Sequence, residues 1–329
     1  MYSASKFKPA WWLTNAHAQT LVAKFFRRNQ KLITYAETLE LPDGDFIDLA
    51  WTERPEKNNT KPIIVILHGL EGSKDSHYAK GMLNAIRSRG WIAVLMHFRG
   101  CSGKPNRQAS SYHSGDIRDI RYLTEQLIAR YQHCAFSVLG FSVGGNVLTQ
   151  YLAQVPNNPY RAAAVICAPL DLASCSAHIN QGFSRLYQKY LLQMLKSSTL
   201  EKITTKVISN LNKRKIESIK TLYEFDDYVT APLNGFTNAQ HYYQQASGNQ
   251  VMAKIKQPCL FIHAADDPFL NHQRSIPQQK LPKHLTFEVS NNGGHVGFIH
   301  GNNPLKPKYW LEQRVPDFLN EYLTIDTEK

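Results

Sequence analysis

Gly140-Phe141-Ser142-Val143-Gly144 sets a serine between two glycines, directly after an apolar run and before a stretch of good helix formers. A serine hydroxyl is a weak nucleophile at neutral pH and becomes useful only when held clear of the chain beside a base. A sharp strand-to-helix turn holds it clear, and small residues two positions to either side let that turn close. The helix that follows directs backbone N–H groups at the same point, where they favour negative charge. The chemistry this construction favours is acyl transfer through attack of Ser142 on a carbonyl carbon.

Such a serine needs an acid, a histidine and two oxyanion donors. The acid belongs in the loop after a later buried strand, and Ala264-Ala265-Asp266-Asp267-Pro268 directly follows the apolar run Cys259–His263. We favour Asp267 as the residue that orients the histidine and stabilises the imidazolium, with Asp266 bracing the turn. The histidine belongs after the last strand, where Asn291-Asn292-Gly293-Gly294-His295-Val296-Gly297 supplies it on a glycine hinge. His295 would take the proton from Ser142 and return it to the leaving group. His300 is close by but lacks the hinge. The backbone N–H groups of Val143 and of Leu70, in His68-Gly69-Leu70-Glu71-Gly72, would form the oxyanion hole; His68 reads as a brace for that loop. The serine, acid and histidine follow one another along the chain in the order expected when each sits at the end of a successive parallel strand.

The elements that must carry these loops are visible in the pattern. Ala36–Leu41 and Phe46–Trp51 alternate around the turn Pro42-Asp43-Gly44-Asp45 and predict a hairpin. Ile63–Leu67, Trp91–Met96, Ala135–Leu139, Ala162–Cys167, Cys259–His263 and Leu285–Val289 are continuous apolar runs, as expected of strands covered on both faces. Helical periodicity fills the gaps near residues 78–89, 116–131 and 143–154, and closes the chain after Trp310. The alternation predicts an α/β fold, a mostly parallel sheet flanked by helices. Between about residues 171 and 247 the rhythm breaks into helices alone, which predicts a helical cap insertion. Residues 1–30, with Trp11, Trp12, Leu21 and Phe25, read as an N-terminal arm with a short helix. We take residues 1–329 as one domain.

The bulk composition excludes other classes. At 43% apolar and 19% charged residues the chain is an ordinary globule. No apolar run reaches the roughly 18–20 residues of a membrane span, and the first residues lack the apolar centre of a signal peptide. Five scattered cysteines show no C-x-x-C spacing and 13 histidines no H-x-x-x-H or H-E-x-x-H, so neither metal nor any other cofactor is expected. A reducing cytoplasm is the expected home. Between Asn180 and Lys220 nine Lys or Arg face only Glu201 and Glu217, so much of the net charge of +12 lies in this stretch of the insertion. A basic amphipathic cap can touch an anionic membrane or be a plain lid, its apolar face on the core and its lysines in water. Nucleic acid is not an expected partner.

Several stretches together resemble one branch of a known superfamily. Asn15-Ala16-His17-Ala18-Gln19-Thr20, His68-Gly69-Leu70-Glu71-Gly72-Ser73, His97-Phe98-Arg99-Gly100-Cys101-Ser102-Gly103, Gly140–Asn146, Ala265–Phe269 and Gly293–Phe298 are similar to the YheT-type esterases of the α/β-hydrolase superfamily, related to eukaryotic α/β-hydrolase-domain lipases and plant embryogenesis-associated hydrolases. The chain departs from that pattern at His97, usually Asn, and at Ala18, often Leu; neither touches the triad. The resemblance implies a carboxylic-ester hydrolase acting on a small-molecule or lipid ester through Ser142, Asp267 and His295, with an acyl-enzyme intermediate. Two rivals are acyl transfer to an alcohol by the same triad, and a vestigial triad in a membrane- or nucleic-acid-binding protein.

Overall fold

The computed structural model describes residues 2–27, 30–275 and 281–323. In chain order the sheet strands are β1 (Tyr2–Ala4), β2 (Tyr35–Glu40), β3 (Phe46–Trp51), β4 (Ile63–Leu67), β5 (Ile92–Met96), β6 (Phe136–Phe141), β7 (Tyr160–Ile166), β8 (Cys259–Ala264) and β9 (Leu285–Ser290). They lie side by side in the order β1-β9-β8-β7-β6-β4-β5-β3-β2. Only β3–β5 and the hairpin β2–β3 are antiparallel; the other pairings are parallel. The sheet is therefore mostly parallel and flanked by helices, as the alternating pattern predicts.

The period of two in a strand decides which helices cover which face. Ile63, Val65 and Leu67 of β4 pack with Ile120 and Leu123 of α3 (Arg118–Arg130) and Val147 of α4 (Val143–Gln154). Ile64 and Ile66 pack the other way, against Met82 and Leu83 of α2 (His77–Ser88) and Val315 and Leu319 of the last helix, Leu311–Leu323. Parallel strands need long crossovers, and those helices supply them. Arg99, nearly inaccessible, binds Asp119 of α3 through Nε and Nη2 at 2.8 and 2.6 Å and Asp43 of the hairpin turn through Nη1 at 2.6 Å. It braces the loop after β5.

One element of the arm escapes the pattern. Tyr2–Ala4 joins the sheet as a strand parallel to β9; three residues are too few to show a periodicity. The arm helix α1 (Ala16–Phe26) starts at Asn15, whose side chain accepts from the N–H groups of His17 and Ala18.

Between β7 and β8 the chain is helical, with α5 (Leu172–Ile179), α6 (Ser184–Thr204), short helices at Lys213–Ser218 and Ala239–Ala246, and a π-helical turn at Asp226–Thr230. Leu192, Ile216, Ile219, Phe225 and Val229 give this insertion a small core of its own. Its return to the sheet is fastened by Asn146 of α4. The Asn146 amide donates to the carbonyls of Ser114 and Ala246 and accepts from Gly248 N–H.

Candidate active site

Ser142 lies between β6 and α4 at φ 51°, ψ −122°, a conformation that costs a non-glycine residue about 1–3 kcal/mol. Its N–H donates to Ile166 O at 2.8 Å, and its carbonyl accepts from Gly145 and Asn146 N–H at 2.9 and 3.2 Å. The turn is thus clamped on both sides, and the side chain is left to project. A Cβ at Gly144 would collide with the carbonyls of Leu67 and His68 at the end of β4. That is the physical reason for a glycine two residues after the serine.

The three side chains singled out by their loops meet. His295 Nε2 is 3.0 Å from Ser142 Oγ, and Nδ1 is 2.8 and 3.1 Å from the two carboxylate oxygens of Asp267. A carboxylate can only accept, so Nδ1 carries the hydrogen and Nε2 is left with the lone pair that faces the serine hydroxyl. Asp267 is buried and also accepts from Phe269 N–H at 2.8 Å. The Phe269 ring stacks on the imidazole with centroids 4.0 Å apart. Asp266 points elsewhere: it accepts from Gly294 N–H at 2.9 Å, bracing the histidine loop, and burial raises its carboxyl. His300 sits in a two-residue strand paired with Lys308–Tyr309, away from Ser142.

The arm closes this loop from outside. His295 N–H donates to Thr20 Oγ1 at 2.9 Å, and Gln19 binds both backbone groups of Ile299. A Cβ at Gly294, which has φ +58°, would strike Ala16 O of α1. The second glycine of the hinge therefore serves close packing as well as backbone freedom.

The oxyanion candidates sit where two hydroxyls frame them. Gly69 N–H donates to Tyr78 Oη at 2.8 Å and Glu71 N–H to Tyr112 Oη at 2.7 Å. The N–H between them, that of Leu70, and the N–H of Val143 have no acceptor among the described residues. Leu70 and Val143 line the same cavity as Ser142 and His295. His68 is fully buried. Phe98 N–H donates to its Nε2 at 3.0 Å, and its Nδ1 donates to Gly69 O at 2.7 Å. Burial pulls this imidazole down to about 3, so it stays neutral and structural.

Thr20, Tyr78 and Tyr112 were not singled out as site residues from sequence. Thr20 lies in the arm stretch already quoted, but the tyrosines carry no local signal. Cys167 is a further addition: at φ 49° it closes β7 with its thiol beside Asp267, and burial, then that carboxylate, hold the thiol well above its ordinary range. Cys167 Sγ, an Asp267 oxygen and a His295 nitrogen lie within 4.8 Å of one another. His295 and Asp267 are already joined there by the Nδ1 hydrogen bond.

Residues 62–301 match the family of the alpha/beta hydrolase fold. The Escherichia coli (strain K12) protein "Putative esterase YheT" is 43% identical over 323 residues, covering 98% of this chain and 95% of that protein. The chain belongs to the α/β-hydrolase family, in its YheT-type branch. It is also 30% identical over 252 residues to a monoacylglycerol lipase of Saccharomyces cerevisiae, covering 74% of this chain and 56% of that one. Phospholipase ABHD3 of Homo sapiens is 24% identical, with 92% and 76% covered. Among solved structures, the Pyrococcus furiosus esterase Pf2001 superposes with a TM-score of 0.55 at 15% identity, over 89% of this chain and 94% of that one, a likeness of fold.

In this α/β-hydrolase the site opens into a cavity of about 870 Å³ between the sheet ends and the helical insertion. Its walls are largely apolar, with Leu172, Ile179, Met194, Leu195 and Val229 from the insertion. The insertion is latched to the oxyanion loop: Glu71, at φ 50°, accepts from Tyr112 O–H at 3.0 Å and from Ser198 O–H of α6 at 2.9 Å. Lys202 of α6 is buried rather than in water, its ammonium donating to Gln108 O at 3.1 Å and Ser111 Oγ at 2.7 Å. Burial draws Lys202 down to about 8. No disulfide joins the cysteines, and no helix among the described residues is long and apolar enough to cross a membrane.

Proposed function

We propose that the protein is a serine carboxylic-ester hydrolase for substrates with an apolar acyl chain, built as one domain with the helices between β7 and β8 as its cap. The observation that carries this reading is the continuous relay from Asp267 through His295 to Ser142, opening at the serine into a large apolar cavity. His295 Nε2 takes the Ser142 proton as Oγ bonds to the ester carbonyl carbon. The carbonyl oxygen becomes an oxyanion, received by the Leu70 and Val143 N–H groups. Collapse breaks the ester C–O bond, and the imidazolium passes its proton to the departing alkoxide. Water then repeats the attack on the acyl-enzyme, and the acid leaves. Asp267 holds the tautomer and faces the transient imidazolium.

Two observations support an acyl-chain substrate. The cavity lies at the upper end of the roughly 300–1,000 Å³ typical of small-molecule sites, and two relatives are named as a monoacylglycerol lipase and a phospholipase. The test is turnover of p-nitrophenyl esters of graded chain length by the wild type and Ser142→Ala. Turnover absent from the variant, and greatest with chains longer than acetate, agrees with the reading. Equal turnover in the variant, or none with any ester, overturns it.

A further inference from the structure

The mouth of the cavity is rimmed by apolar side chains that nothing among the described residues covers. Leu21 and Phe25 of α1, and Phe183, Leu186 and Tyr190 at the start of α6, are between 39% and 73% exposed. Leu21, Phe183, Leu186 and Tyr190 also line the cavity, so being both exposed and lining marks them as its rim. Phe25 lies one turn along from Leu21 on the same stripe of α1.

The two helices form one surface. The Lys24 ammonium stands 5.1 Å from the Tyr190 ring centroid, and the His17 ring 4.4 Å from that of Phe183. His17 Nδ1 and Tyr187 Oη are 3.1 Å apart. Monomeric soluble proteins expose large apolar side chains singly, and a cluster around an opening marks an interaction site.

Charge selects the partner. Lys24, Arg185 and Lys189 are exposed on these two helices, and neither α1 nor α6 before Glu201 carries a carboxylate. Asp75, which also lines the cavity, is paired with Lys74 and Lys80. Exposed aromatic and aliphatic groups interleaved with cations are what an anionic lipid surface receives, the apolar groups entering the acyl boundary and the cations meeting headgroups.

We propose that the rim formed by α1 and the start of α6 docks on an anionic membrane and sets the cavity mouth against the acyl layer. Docked in this way, the protein takes its ester from the bilayer, so a chain passes from lipid to the cavity without crossing water. This deepens the ester-hydrolase reading and rests on it for the chemistry, but docking itself needs no turnover.

The experiment is therefore co-sedimentation of full-length Ser142→Ala protein with vesicles, set beside turnover of soluble esters by the wild type. The vesicles are phosphatidylcholine alone, or equal parts phosphatidylcholine and phosphatidylglycerol. We expect binding to the anionic vesicles at least roughly tenfold tighter than to the neutral ones, weakening in high salt. Adding Phe25→Ser, Arg185→Glu and Lys189→Glu removes that difference, at an unchanged thermal midpoint. Should the triple variant fold poorly, Arg185→Glu/Lys189→Glu alone, both on the exposed face, must still lose most of it. No binding to anionic vesicles overturns the proposal, as does equal binding to both vesicle types or binding that survives the charge reversals. A concentration-dependent dimer lost in the same variants, without vesicle binding, overturns it in favour of a second copy as occupant.

Discussion

The ends of the sheet and the cap are held in opposite ways. Around Ser142, His295 and Asp267 nearly every flanking backbone group is fixed: Ser142 N–H on β7, Gly294 N–H on Asp266, His295 N–H on Thr20, Gly69 and Glu71 N–H on two tyrosines. The cap has a small core, a few polar latches to the body through Ser198, Lys202 and Asn146, and apolar side chains left in solvent. Chemistry depends on groups held within a fraction of an ångström, which over-determined strand ends supply. Substrate capture depends on a surface whose apolar groups are not spent on the core.

That contrast breaks most sharply at the serine. Ser142→Ala should lower kcat/KM on p-nitrophenyl esters by roughly 10⁵-fold while leaving the thermal midpoint near that of the wild type. The two adjacent aspartates should separate next. Asp267→Asn should lower kcat about 10⁴-fold, since the amide reverses the tautomer of His295, whereas Asp266→Asn should cost less than about tenfold and act mainly on stability. If both lose activity equally, the division between partner and brace is wrong. Tyr112→Phe removes the acceptor that holds the Glu71 N–H and should loosen the Leu70 donor. Loss of a whole oxyanion donor costs about 10²–10³, so a misaligned one should cost about 10–100-fold in kcat, with KM little changed. In the cap, Lys202→Met should lower stability by about 1–3 kcal/mol, seen in urea titrations, with a smaller effect on short-ester kcat than Tyr112→Phe.

The smallest effect separates the two regions by pH. His68 sits at the sheet end and is pulled from 6.5 to about 3. Below pH 6.5 the unfolded chain takes a proton there that the folded chain refuses, so stability falls as pH drops from 6.5 toward 3. Lys202 is pulled from 10.5 to about 8. Between pH 8 and 10.5 the unfolded chain again holds the extra proton, so its contribution to stability rises with pH across that window. Urea midpoints of wild type, His68→Asn and Lys202→Met should show the acid slope reduced in the first variant alone and the slope between pH 8 and 10.5 made less positive in the second alone.

Much of the sheet was legible because continuous apolar runs permit few alternatives once helices alternate with them. Ser142, Asp267 and His295 could be picked out because each sits in a short segment with its own glycine or proline chemistry directly after a strand. Tyr78, Tyr112 and Cys167 could not, because a hydroxyl that holds a backbone N–H from another segment leaves no local trace. The pattern predicts a helical, basic cap, but a plain lid, with its apolar face on the core and lysines in water, fits neither exposed Leu186 nor buried Lys202. Periodicity marks an apolar stripe without saying what covers it, and Lys202 finds its carbonyls on a loop some ninety residues earlier in the chain.

The arm brings the two ends of the described chain together. β1 pairs with β9, and Thr20 meets His295 across 275 positions of sequence. During synthesis, the arm therefore has no docking surface until β8, β9 and the histidine loop have followed it. Closing so long a loop is slow relative to forming the local βα units. The contact between the arm and the histidine loop thus joins segments that only a nearly complete chain can bring together.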